Sequence, residues 1–507
     1  MMFVVDSTKR IVIDPITVLV ILIGFYLRVS NVFDQVPWNG EDFMAGRILE
    51  SKDMVVNSAF PGVSKPLWQL IVAFGYKVMG FRLFVGSLWS VYFGTTIVAL
   101  IYKLGRRLFN SDAGLYAALF TASMLTFVHV SRLPRAPMAS LFFMLFAANL
   151  YLQYAKKRRI HVREIVFVGV VAGFTITLHS MYFIPCFFIL VLWELVREVR
   201  LSSDMRTIII RVVKFSSVLA VSMLIPVSVA EMAIRISRMY GITAASWIGG
   251  AYLQMFDSFP PPKNIRDYFA YLERFVSTDG VLIALLFSIS FIVSLVKLKR
   301  TVSINIFRAI TLFLVPLALL ILSIPTKGLA LKKYYIIFMA GVPVLIGYYV
   351  GIVFSRLRFN STFGLLNPIL RGIFVLSVLG MGYTRARPRI EWTTGIDQAY
   401  NIASNTESEQ IYYAMELGEF YFSTQSNAHV LTTDISKTLI PSGKNIIIST
   451  ITGSCDCSAS NQICAEDITI LRYIERDKLK VVDSVQGYGA SLQGPLRPHQ
   501  CHVLYLY

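Results

Sequence analysis

The chain has 507 residues, 55% of them hydrophobic and only 15% charged, where a soluble globular domain carries about 25%, so it is too apolar to be water-soluble throughout. Its formal charge of +18 is uneven: residues 1–383 hold 38 Lys and Arg against 17 Asp and Glu, and residues 384–507 hold 10 against 13. A basic excess confined to the apolar part points to bilayer topology and anionic headgroups, which excludes nucleic acid as the expected partner.

Apolar runs of about 17 to 23 residues recur along residues 1–383, the length a helix needs to cross about 30 Å of hydrocarbon. The first, Ile11 to Leu27, follows a charged start and has no small-residue cleavage site, so it is expected to be a retained helix. Candidate spans cover 11–29, 81–102, 113–130, 138–155, 164–180, 182–197, 208–229, 280–297, 305–325, 334–354 and 367–383. These eleven predict a polytopic α-helical membrane protein. With the N-terminus in the cytoplasm, Lys9, Arg10, "KLGRR", "KKRRIHVR", Arg197 to Lys214, "KLKR", Arg308, "SRLR" and Arg371 fall inside. They hold 22 of the 38 basic residues, as the positive-inside rule expects. An odd number of spans then puts residues 384–507 outside.

Cysteine usage agrees with that placement. Cys186 lies in an apolar run and reads as packing, while Cys455, Cys457, Cys464 and Cys501 all fall in the C-terminal segment. Four cysteines in an extracytoplasmic segment suit two disulfides, with three possible pairings. A zinc site is the rival reading, with His502 nearby, but the spacing does not follow the usual C-x2-C pattern, and no metal is assigned. In residues 384–507, "HVLTTDI", "NIIISTIT", "KVVDSV" and "HVLYLY" read as strands, and "GIDQAYNIAS" and "DITILRYIER" as helices. A small extracytoplasmic α/β domain is expected.

The first outside loop, about residues 30–80, holds the adjacent acids Glu41 and Asp42 in "PWNGEDFMAG", then an amphipathic, aromatic-rich stretch that includes Lys65 just before Pro66. Two solvated loop acids would be the plain reading. The other short outside loops are basic, however: "SRLPRAP" carries Arg132 and Arg135, and "TKGLALKKYY" carries Lys327, Lys332 and Lys333. A longer outside stretch, about 230–279, mixes aromatics with Arg235, Arg238, Arg266 and Arg274, and suits an interfacial element lying over a site or, as the plainer reading, a headgroup belt of aromatics. Cations outside oppose the topological rule, and charged groups near membrane depth tend to be functional. A lipid phosphate is the anion at hand, matched by the Arg fork and the Lys point charge. Carboxylates facing a held phosphate suit proton abstraction from a hydroxyl while the phosphate departs from an anomeric carbon.

The order of these motifs resembles the GT-C membrane glycosyltransferases, in particular the branch with the protein O-mannosyltransferases and lipid A aminoarabinose transferases. The similar elements are "FYLRVS" leading to "GED", "SKPLWQL" through "IYKLGRRLF", the "HVSRLPRAP" turn, and "KKYYIIFMAG" opening a late span. The resemblance implies Asp42 as general base, with Glu41 as neighbour or substitute, and Lys65 at the donor phosphate. It places Arg132, Lys333 and Tyr334 on the donor lipid pocket, with Arg135 beside them. It departs from the family in having Glu before Asp, in lacking an acid after the Ser-Arg turn, and in having His179 where a lysine commonly stands. His179 then either meets phosphate or caps a helix end. The implied donor is a sugar on dolichyl or undecaprenyl phosphate, the acceptor a protein, lipid or glycan, and no cofactor is implied. An oligosaccharyltransferase would carry a "WWD" sequence, which does not occur. A transporter would show repeated halves, which are not visible. A transporter and an inactive subunit stay as alternatives.

Overall fold

The computed structural model describes residues 15–32, 52, 55, 66–82, 84–157, 159–178, 182–202, 204–239, 273, 275–301, 303–327, 336–359, 366–390, 396–406, 409–413, 428–430, 444–452, 480–489 and 497–506. Helix α1 (Pro15–Val29) ends at Asn31, whose φ of 56° is one that Asn tolerates better than most residues. Helix α2 (Pro66–Met79) stops at Gly80, where a φ of 79° lets the Gly80 amide bond back to the Tyr76 carbonyl at 2.9 Å. Then come α3 (Phe84–Leu108), α4 (Ser111–Ser123), α5 (Leu125–Arg132), α6 (Ala136–Tyr154) and α7 (Val162–Leu178). Asn110 caps α4 by accepting from the Ala113 amide at 2.8 Å. The bundle continues with α8 (Phe183–Leu201), α9 (Met205–Met223), α10 (Ile225–Met239), α11 (Val281–Thr301) and α12 (Ile304–Lys327). It closes with α13 (Ile336–Met339), α14 (Gly341–Phe359) and α15 (Leu366–Ile390).

Among the described residues six helical stretches are long and apolar enough to cross a membrane, or seven if the bent pair α4 and α5 is one span. The chain is an integral membrane protein. The sequence predicts eleven spans, and the difference has simple causes. Apolar helices in α1 and α12 are shorter, α7 has 17 residues, and α8 carries Glu194, Arg197, Glu198 and Arg200 in its second half. The predicted span 113–130 is broken: α4 and α5 meet at 57° across Met124, which is extended at φ −65° and ψ 125°.

Helix α4 is the centre of the bundle, packed against α1, α3, α14 and α15. Its sequence "SDAGLYAALFTAS" explains this: Ala113, Gly114, Ala117 and Ala118 are fully buried and keep the helix thin. A Cβ on Gly114 would sit 2.6 Å from the Tyr102 carbonyl of α3, so only glycine permits this approach. Long aromatics fill the spaces left, as where Tyr116 stacks on Phe354 at 5.2 Å.

The C-terminal part holds α16 (Ile396–Asn405) and strands β1 (Gln410–Tyr413), β2 (Ala428–Val430), β3 (Asn445–Thr452), β4 (Lys480–Gly489) and β5 (Arg497–Leu506). They form one five-stranded sheet in the order β2-β1-β3-β5-β4. β1 pairs parallel with β2 and β3, and β5 pairs antiparallel with β3 and β4. Helix α16 packs against β3, β4 and β5.

Candidate functional site

The site is built on the break at Met124. In an unbroken helix the amides of Leu125 and Thr126 would bond the carbonyls of Thr121 and Ala122. The extended Met124 opens both bonds and leaves two acceptors and two donors inside the bundle, where each needs a partner. Arg28 of α1 takes the acceptors: Nη2 donates to the Thr121 carbonyl at 3.0 Å and Nη1 to the Ala122 carbonyl at 3.3 Å. Asp279 takes the donors. Its Oδ1 accepts from the Thr126 amide at 3.0 Å, its Oδ2 from the Thr126 hydroxyl, and the Leu125 backbone also bonds it. Arg28 and Asp279 are both fully buried. A cation thus stands at the C-terminal end of α4 and an anion at the N-terminal end of α5, the signs that the helix dipoles favour.

The far end of α5 is tied to α1 as well. Arg132, only 4% exposed, sends Nη1 to the carbonyls of Leu27 and Arg28 at 3.1 and 3.0 Å. These carbonyls close the last turn of α1, where they lack amide partners within the helix. The turn that follows lies on α3. Ser90 both donates to the Arg135 carbonyl and accepts from the Arg135 amide at 3.2 Å, and a Cβ on Gly86 would come within 2.8 Å of Pro134. Arg385 of α15 completes the cluster by donating to the Asp279 carbonyl. Asp279 precedes the apolar stretch of α11, and burial pushes its carboxyl up to about 6 against the opposing pull of the Thr126 hydrogen bonds and of Arg385.

The positions of the sequence-predicted residues are as follows. Arg132 and Arg135 meet at this end of the bundle, at the point where α1 ends and the acid-bearing loop begins. Glu41, Asp42, Lys65, His179, Lys333, Tyr334, Cys455, Cys457 and Cys464 lie outside the described residues. Cys501 lies in β5, opposite Ile451 of β3 and Gln486 of β4. Cys186 is buried in α8. Among the described residues no three His, Cys, Asp or Glu side chains converge to hold a metal.

Sequence reasoning misses three features. Asp279 and Arg385 carry no local signal of their pairing with α5. Lys52 of the acid-bearing loop is 3% exposed, with Nζ 5.3 Å from the Phe81 ring centroid. At the opposite end of the bundle, Glu194 of α8 accepts from Tyr151 at 2.9 Å and from Arg197 at 2.7 Å, and Glu198 accepts from Arg197 and Arg211, both at 3.0 Å. The i, i+3 and i+4 spacing of Glu194, Arg197 and Glu198 was the available signal for that network.

Residues 63–229 match the family model described as dolichyl-phosphate-mannose-protein mannosyltransferase. No curated protein sequence matches the chain. Among solved structures the chain is similar to ArnT from Cupriavidus metallidurans bound to undecaprenyl phosphate. That match has a TM-score of 0.57 at 13% identity and covers 96% of this chain and 97% of that one. It is also similar to the archaeal oligosaccharyltransferase AglB from Archaeoglobus fulgidus in complex with an inhibitory peptide and a dolichol-phosphate. There the TM-score is 0.54 at 12% identity over 80% of this chain, and the match spans only 63% of the AglB chain. The fold is that of the GT-C membrane glycosyltransferases, as the order of the sequence motifs implies.

Proposed function

We propose that this chain is a membrane glycosyltransferase that moves a single sugar from a polyprenyl-phosphate donor to an acceptor hydroxyl at the outer membrane face. Asp42, with Glu41 as neighbour or substitute, removes the hydroxyl proton. The freed oxygen attacks the anomeric carbon from the side opposite the phosphate, the carbon–oxygen bond to phosphate breaks with its electron pair going to the phosphate oxygen, and polyprenyl phosphate leaves. The sugar configuration inverts. Lys65, Arg135 and Lys333 stabilise the charge that grows on the departing phosphate, and Arg132, His179 and Tyr334 line its surroundings. In this topology the N-terminus is cytoplasmic, the acid loop and C-terminal domain are outside, and the four C-terminal cysteines form disulfides.

The observation that carries the reading is the bond from Arg132 to the last carbonyls of α1. It holds the last turn of α1, from which the chain runs on toward Glu41 and Asp42, beside the basic turn, and so supports the juxtaposition a carboxylate base and a phosphate leaving group require. The likeness to a protein crystallised with undecaprenyl phosphate supports a lipid-linked donor.

The test is donor turnover. Purified protein in nanodiscs is mixed with a panel of radiolabelled polyprenyl-phosphate sugars and an extract of its own cell envelope. Transfer that Asp42→Asn abolishes, in a variant that still binds the donor, is the expected result. Wild-type protein that neither binds nor turns over any donor overturns the reading and moves the weight to an inactive or transport role.

A further inference from the structure

The break at Met124 draws its partners from three separate stretches of chain. Arg28 comes from α1 just before the chain enters residues 33–65, which carry Glu41 and Asp42. Asp279 comes after the long stretch 240–274, and Arg385 from α15 shortly before the C-terminal part. The links run in series: the Asp279 carboxylate holds the start of α5, Arg132 at the end of α5 holds the end of α1, and the Asp279 carbonyl holds Arg385. Gly280 fits this crowding, because its φ of 89° suits glycine and a Cβ there would collide with the Arg385 guanidinium.

We propose that this break is an anchor that sets the end of α1, the start of α11 and the end of α15 relative to one another, with Asp279 as its positioning residue for transfer. The inference rests on the reading of Asp42 and Glu41 as the base. A base must hold its geometry to the acceptor oxygen closely, and a displacement of about 1 Å can cost about 100-fold in rate. The carboxylate is the part of Asp279 that fixes α5. Removing its charge and one acceptor weakens the link between α5 and the α11 side and leaves the carbonyl bond to Arg385 in place.

Asp279→Asn tests this, since the amide keeps the shape and can still accept one hydrogen bond. Asp204→Asn is the control: Asp204 also caps a helix, accepting from the Arg206 and Thr207 amides, but at the opposite end of the bundle. Hydrogen exchange in nanodiscs and donor kinetics are read on both variants. In Asp279→Asn the amides of Leu125 and Thr126, and those of Val29 to Val32, exchange about tenfold faster or more. In the same variant kcat falls about 10- to 100-fold while the donor KM stays within about threefold, and Asp204→Asn matches wild type in both assays. Thr126→Val, which removes only the hydroxyl donor, shifts both readouts in the same direction by less and serves if Asp279→Asn does not fold. Exchange at Val29 to Val32 and kcat both unchanged would overturn the anchor. If wild-type protein transfers no sugar from any donor, the transferase reading falls, and the exchange result alone decides the anchor.

Discussion

Replacing Arg28 by Met removes the donors that serve the two carbonyls opened at Met124. The magnitude follows from the geometry. Nη1 and Nη2 serve Ala122 and Thr121 at 3.3 and 3.0 Å, while the third acceptor, Gly24 at 2.7 Å, lies one turn back in Arg28's own helix, where the backbone can still serve it. Two orphaned carbonyls cost about 1–3 kcal/mol each. Against this, the Met variant escapes part of the desolvation that a buried guanidinium carries. The cost of the two carbonyls outweighs the relief, and we expect a loss of about 2–4 kcal/mol. Unfolding by SDS titration in mixed micelles, followed by circular dichroism, reads this directly. A double-mutant cycle with Asp279→Asn should return a coupling of about 0.5–3 kcal/mol, because both side chains serve one break. A Met variant within about 0.5 kcal/mol of wild type would place it among neutral surface changes and refute the account of the break. Strict additivity would show that the two ends are held independently.

Asp279 also predicts a pH dependence. Its native carboxyl is raised from 3.8 to about 6 by burial, so the unfolded chain releases this proton first as pH rises and stability falls across that window, by about 3 kcal/mol for a two-unit gap. Arg385 is the charged group that opposes the shift, and Asp279→Asn should flatten the slope between pH 4 and pH 6 in the same SDS titration. Gly347→Ala sets a Cβ of α14 against the Ala117 amide nitrogen and 2.7 Å from the Ala113 carbonyl, both backbone atoms of α4. It should cost about 1–3 kcal/mol. Gly372→Ala on α15 meets nothing within 4 Å and should be neutral or slightly stabilising, so equal midpoints for the two variants would sink the close-packing argument.

Helices and strands were legible where period and composition are strong. "NIIISTIT" is β3, "GIDQAYNIAS" lies in α16, and the runs 138–155 and 280–297 fall within a few residues of α6 and α11. The β1 strand, "QIYY", was too short to stand out, and "DITILRYIER" lies outside the described residues. The break inside 113–130 could not be read at all. "TASMLTF" contains neither Pro nor Gly, and its apolar run is continuous. What interrupts this helix is a carboxylate 153 residues away and a guanidinium 93 residues away, and a local reading of propensity cannot see either. The network around Glu194 was hidden differently. Its charges stand in helical register on α8 and look like an exposed end, yet Glu194, Arg197 and Glu198 are each at most 5% exposed.

The cations that the sequence reading puts outside make the same point about function. Sequence alone counts Arg132, Arg135 and the lysines of "TKGLALKKYY" as a single class, positive charges where the positive-inside rule does not expect them, and assigns them together to an anion. Geometry divides them. Arg28, which the sequence treats only as part of "FYLRVS", and Arg132 both spend guanidinium nitrogens on backbone carbonyls, at the ends of α4 and α1. A carbonyl at a helix end and a phosphate oxygen make the same demand on a planar fork of donors, so composition cannot tell them apart. The capping role gives Arg28 and Arg132 a reason to exist that needs no substrate. It also fixes where the chain leaves α1: that helix is held at its last turn by a charge whose own helix is held, at its first turn, by Asp279.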